Sequence, residues 1–259
     1  MKIHENLKFY MGAAVVPPEI LEKRKKREEE LGSLTTTLDF PGKANIFIME
    51  AKNNFVNSSY LSCIFASAAS IEQVFKSEYV RNATNKRTAE RELIKGKEKI
   101  NNRGRPYKMK LDFFNLINEC QNLKFKRLKG CFRIAHSLRK LRNKIGVHPL
   151  HIETFETEDS PIEMRRKNRT MVRDIRALEK FLNKDYVKEF EDIRINYKNK
   201  KGKIKSITFK DILKDNTNLD KPLVWNIAVD LLSYKLALKA HNDATKIIKR
   251  LYDPDNMKK

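Results

Sequence analysis

The chain has little with which to build a cross-linked or metal-organised fold. Its 259 residues contain three cysteines, Cys63, Cys120 and Cys131. An odd number without C-x-x-C spacing excludes a disulfide framework and a zinc knuckle, and leaves these residues as core thiols. No run reaches the roughly 18 apolar residues of a spanning helix, and Met1 to Tyr10 lacks the apolar centre of a secretory signal. A cytoplasmic protein without a membrane segment is therefore expected. The signatures G-x-x-x-x-G-K-[ST], G-x-G-x-x-G and H-E-x-x-H are missing, so the common nucleotide and zinc routes have no support. No internal repeat of fixed period is present. Acids are also short, with 33 against 55 lysines and arginines, a net charge of +22. Such an imbalance repels itself unless a polyanion offsets it, which makes nucleic acid the expected partner and an anionic membrane surface the competitor.

What is present is an amphipathic helical pattern. Hydrophobic residues make up 40% of the chain and charged residues 34%, enough to bury a core beneath a densely ionised surface. Residues 17 to 32, "PPEILEKRKKREEELG", read as a short exposed helix on an N-terminal extension, with a solvated charged face. "SLTTTLDFPG" reads as an extended lead-in that Pro41 and Gly42 end. From Ala44 the pattern is helical, and Leu61, Ile64, Phe65, Ala68, Ile71 and Phe75 form one apolar stripe of a helix over about 56 to 80. Residues 88 to 100 predict a short charged helix, and "NNRGRP" a loop. Leu111, Phe114, Ile117 and Cys120 mark a further amphipathic helix. Ile134, Leu138, Leu141 and Ile145 mark the next, at steps of four, three and four.

A long helix is expected at about 162 to 192, with Met171, Ile175, Leu178, Leu182, Phe190 and Ile193 inward. Around "IRINYKNKKGKIKSITF" the period changes to two on either side of a Lys/Gly-rich turn, which allows a β-hairpin. The last helix, about 222 to 250, opens on Pro222 and buries Ile227, Leu231, Tyr234 and Leu238. The expected fold is all-α, a helical bundle with a small hairpin near its C-terminal end. Its parts are an extension (1–43), a helical core (44–196), and a hairpin with a C-terminal helix packed on the bundle (197–259).

The segment "LRKLRNKIGVHPL", residues 138 to 150, concentrates the chemistry. Arg142 lies about 80° from Ile134 around the helix, at the edge of the buried stripe. On an unbroken helix His148 falls roughly 120° from Arg142, but Gly146 and Pro149 both disfavour helix, so the turn is expected to loosen where the histidine emerges. Arginine offers a permanently charged fork for phosphate oxygens, and histidine exchanges a proton near neutral pH. That pair suits cleavage of RNA by its own 2′-hydroxyl, without metal or cofactor. The competing reading is a basic helix end whose cations complement the helix dipole.

"LRNKIGVH" resembles the signature of the HEPN superfamily, an arginine followed by a polar residue and, after four to six residues, a histidine. Arg142 matches the arginine, Asn143 the polar follower and His148 the histidine. "YLSCIFASAASIEQVF", residues 60 to 75, resembles the family's long early helix, with Glu72 near its end. The resemblance spans about residues 44 to 195. It implies an all-α homodimer in which two copies of the motif share a cleft, and a metal-independent endoribonuclease of toxin or antiviral-defence type. An antitoxin or defence-system protein is then an expected partner. Members that only bind RNA or protein supply the alternative, and a basic scaffold for double-stranded DNA is a third reading.

Around the motif, Glu72 is a candidate to orient Arg142, against a solvated helix-edge role. Arg133, Arg139, Lys140 and Lys144 are candidate phosphate contacts, against plain solvent-facing cations. His151 reads as a surface residue and His136 as a solvated one. Phe132 and Trp225 could stack bases, but core positions suit both better.

Overall fold

The computed structural model describes residues 18–31, 41–147, 170, 173, 175–182, 188, 191–192, 194–198, 203–208, 210–211 and 222–253. Helices dominate. They are α1 (Pro18–Leu31), α2 (Gly42–Val56), α3 (Tyr60–Asn82), α4 (Lys86–Lys95), α5 (Phe113–Asn122), α6 (Phe132–Val147) and α7 (Pro222–Tyr252). A 3-10 turn (Lys126–Leu128) leads into α6, and residues 175–179 are helical. Two antiparallel hairpins complete the described elements. One pairs β1 (Lys97–Ile100) with β2 (Pro106–Met109), the other β3 (Arg194–Lys198) with β4 (Ile204–Thr208).

The architecture is organised around α3. The sequence reads this helix as having one apolar stripe, but Cys63, Ile64, Ala66, Ala68, Ile71, Val74, Phe75 and Tyr79 are all buried. A helix covered on several sides buries more than one stripe. Its neighbours are α2, α4, α5, α6 and α7. Phe65 is the exception, being exposed. The Cys63 thiol meets the Ala237 carbonyl at 3.8 Å, and the Tyr252 hydroxyl donates to Glu78 at 3.1 Å. Both pairs are 174 residues apart in sequence. A constant offset means that α3 and α7 run parallel. In contrast, α6 runs antiparallel to α3, with Phe132 near Phe75 and Arg142 near Glu72.

Several expectations change. The helical region after Ala44 breaks between Val56 and Tyr60, where Ser58 adopts φ 64°, so the predicted helix over 56 to 80 begins at Tyr60. The predicted helix over 88 to 100 stops at Lys95. Gly96 has φ 88°, and a Cβ there would stand 3.0 Å from the Met109 carbonyl oxygen, so only glycine fits the turn into β1. Phe113 takes the core position expected of Phe114, which is exposed. The long helix expected at 162 to 192 is not continuous: residues 180–182 form a turn, although Ile175, Leu178 and Leu182 are buried as expected. Residues 33–40 of the lead-in, and Met171, Phe190 and Ile193 of that predicted helix, lie outside the described residues.

The expected parts also merge. The α1 helix is docked on the bundle. Its Leu31 is buried, Arg27 donates to the Val56 carbonyl at 2.9 Å, Glu28 pairs with Lys52 at 2.6 Å, and Tyr234 donates to Glu30. The C-terminal helix supplies Leu232, Leu236, Ala240, Ala244, Ile247, Ile248 and Leu251 to the same core that α3 organises. Leu238 is buried as expected, whereas Leu231 and Tyr234 are half-buried. Among the described residues no helix is long and apolar enough to cross a membrane.

Candidate functional site: the basic helix and its groove

The site grows from the pattern of α6. Leu138, Leu141 and Ile145 are buried and Ile134 is partly buried, so the inward face predicted by the steps of four, three and four is the one observed. Arg142, about 70° from the middle of that face, emerges at its edge. Its Nη1 donates to Glu72 Oε2 at 3.0 Å, and its Nε lies 3.4 Å from Asn143 Oδ1. Glu72 also pairs through Oε1 with Lys76 at 2.7 Å, one turn on along α3. The carboxylate thus fixes one side of the guanidinium and leaves donors of its fork unspent.

The Phe113 ring lies beneath Arg142, with the guanidinium carbon 5.5 Å from its centroid. Phe113 reaches that place because Asp112 caps α5, accepting from the Asn115 amide at 2.9 Å, which sets Phe113 and Phe114 in the first turn. Phe114 repeats the arrangement one helical turn back along α6. Arg139 stands over its ring at 4.6 Å, and the ring is 43% exposed. Two successive phenylalanines therefore each carry one arginine of α6.

The outward face of α6 and the exposed side of α5 enclose an open groove of about 830 Å³. Arg133, Arg139 and Lys140 line it together, joined by Lys180, which sequence reasoning did not single out. Among the described residues no carboxylate lines it. Lys144 is half-buried on α6 but does not line the groove, and Asn143 is exposed. His136 is not freely solvated as expected. It is half-buried in the groove wall, its ring 6.0 Å from that of Phe114. Burial, and then the neighbouring charges of Arg139 and Lys140, lower its pKa below the usual histidine range, so it is neutral at pH 7. Phe132 is partly buried against the core and faces Phe75 edge-on, as expected of a packing residue.

The α6 helix continues through Gly146 to Val147, so glycine alone does not end it. His148 and His151 lie outside the described residues, as does the loosening expected before Pro149. The side chain of Trp225 does too. The three thiols are free and buried, as expected. Burial pushes Cys63 and Cys120 up to about 12 and raises Cys131, which removes all three from nucleophilic chemistry at neutral pH. No family model matches the chain, and no curated protein or solved structure is significantly similar to it.

Proposed function

We propose that the chain is a HEPN-type, metal-independent endoribonuclease acting as a homodimer in the cytoplasm, in antiviral defence or as a toxin. The observation that carries this reading is the Arg142 to Glu72 contact, one helical turn along α6 from Arg139, which lines a basic groove. A guanidinium held on one side by a carboxylate keeps its orientation while its remaining donors face a phosphate.

In the proposed reaction a base removes the 2′-hydroxyl proton, and the 2′-oxygen attacks the adjacent phosphorus. The bond to the 5′-oxygen breaks, and that oxygen receives a proton. Arg142 stabilises the extra negative charge on the phosphate. His148 exchanges the protons, with the second copy supplying a second histidine and arginine for the acid and base roles. The products are a 2′,3′-cyclic phosphate and a 5′-hydroxyl. Arg133, Arg139, Lys140 and Lys144 add the positive potential that draws RNA in.

A second reading is RNA or protein binding without cleavage. The Glu72 carboxylate against Arg142 favours it, since that contact offsets part of the charge the phosphate would meet. Incubation of the protein with mixed RNA in EDTA separates the two. Cleavage to cyclic phosphate ends, lost in His148→Ala and Arg142→Ala, is the expected result; salt-sensitive binding without products favours the second reading. Sedimentation that finds only monomer at micromolar concentration, with and without RNA, would exclude the shared cleft.

A further inference from the structure

The groove beside Arg142 has a composition that structural packing does not call for. Phe114 is exposed although its neighbour Phe113 is fully buried. Its ring is flanked by the Arg139 guanidinium at 4.6 Å and the His136 imidazole at 6.0 Å, three planar groups of which two carry polar N–H edges. Arg139 Nε is buried without an acceptor among the described residues, and its guanidinium lies against the Phe114 ring. No ion pair among the described residues involves Arg133, Arg139, Lys140 or Lys180. Four cations around a stacked aromatic, with no acid among the described residues of the wall, complement a polyanion that also carries flat apolar faces.

We infer that this groove is a single-stranded RNA track, in which an unpaired base stacks on the Phe114 and Arg139 pair while Arg133, Lys140 and Lys180 hold the flanking phosphates. Single strands are the form that fits, because a base must leave its helix to present a face to a side chain. The track also has a direction. Arg139 and Arg142 are three residues apart on α6, a rise of roughly 4.5 Å, so the strand leaving the Phe114 platform passes toward Arg142. This inference rests on the proposed RNA reading for its link to cleavage, and on the groove alone for binding.

The test measures the affinity of a fluorescent single-stranded RNA of about a dozen nucleotides for the full chain and its variants, alongside cleavage of the same RNA. Phe114→Ala is expected to weaken binding on the order of tenfold, as loss of one aromatic–base stack does. Phe114→Tyr keeps the ring and is expected to retain affinity. Arg139→Lys keeps the charge but loses the planar stack, and is expected to weaken binding nearly as much as Arg139→Ala. Because Phe114 is exposed, Phe114→Ala should melt with the wild type, which separates lost contact from lost fold.

Unchanged affinity in folded Phe114→Ala overturns the track. So does equal competition by a duplex of the same sequence, or polyglutamate binding with the same dependence on Phe114, which would make an acidic peptide the occupant. Cleavage by wild type with Phe114→Ala binding normally sinks the track and spares the nuclease. Phe114-dependent binding without cleavage sinks the nuclease and spares the track.

Discussion

Glu72 and Glu78 lie on the same helix, about 120° apart around its axis, and each meets arginine from a distant part of the chain. Their surroundings differ. Glu78 is 1% exposed and accepts from Arg127 at 3.2 Å, from the Tyr252 hydroxyl at 3.1 Å and from Arg81 at 3.5 Å, with Asn82 nearby at 3.4 Å. Arg127 in turn donates to the Leu251 carbonyl, so the cluster ties α3, the turn before α6 and the end of α7 together. The Glu72 side chain is 19% exposed and meets Lys76 and Arg142. One carboxylate is enclosed by donors and has no room for a ligand. The other fixes an arginine that still faces outward. Burial, more than the identity of the pair, separates a structural lock from a candidate site.

The sharpest way to break this contrast is Glu78→Ala. Removing the buried carboxylate takes an acceptor from Arg127 and from the Tyr252 hydroxyl at once, and the expected loss is about 3 to 5 kcal/mol, read by urea unfolding. A loss below about 1 kcal/mol would mean that Glu78 does not differ from its surface counterpart.

A second expected effect comes from His241, which is buried on α7. Burial, and then the charge of Lys52, lower its pKa to about 4. The unfolded chain takes up this proton near 6.5 and the folded chain only near 4, so stability is complete above pH 6.5 and falls as the pH drops between these values. The full span is about 3 kcal/mol. Thermal melting from pH 7 to pH 4 should show a steeper decline in wild type than in His241→Leu; parallel declines would exclude the histidine as their source.

Glu72→Ala is expected to cost less than about 1 kcal/mol, as partly exposed pairs do, yet to lower RNA cleavage by releasing Arg142. Equal loss of stability and cleavage would place Glu72 in the same class as Glu78. The smallest effect belongs to Lys76→Ala, within about 0.5 kcal/mol of wild type, because the pair it breaks is an i,i+4 contact at the surface.

Much of this was legible in the residues, and the misses have physical causes. The buried stripe of α6 follows from spacing because that helix covers one side of the core. The placement of Arg142 at its edge follows from the same angles. Its contact with Glu72 was proposed from the resemblance of two helices 70 residues apart, a separation that periodicity does not bridge. The β1–β2 hairpin was hidden because Lys97 to Ile100 continue a charged pattern that is equally helical, and only the conformation of Gly96 divides them. Phe113 and Phe114 are identical neighbours, so composition cannot say which one turns inward. The break at Ser58 lies at a non-glycine residue with positive φ, which no spacing announces. Lys180 joined the groove through tertiary folding alone.

The parallel pairing of α3 with α7 also governs when the molecule can form. The hydrogen bonds from Cys63 and Tyr252 each close a separation of 174 residues, so the central helix is covered on that side only after α7 is in place. Contacts this distant in sequence are slow to form and late in order. A nascent chain that ends before Pro222 therefore carries the apolar flank of α3 uncovered, a surface for chaperones or aggregation.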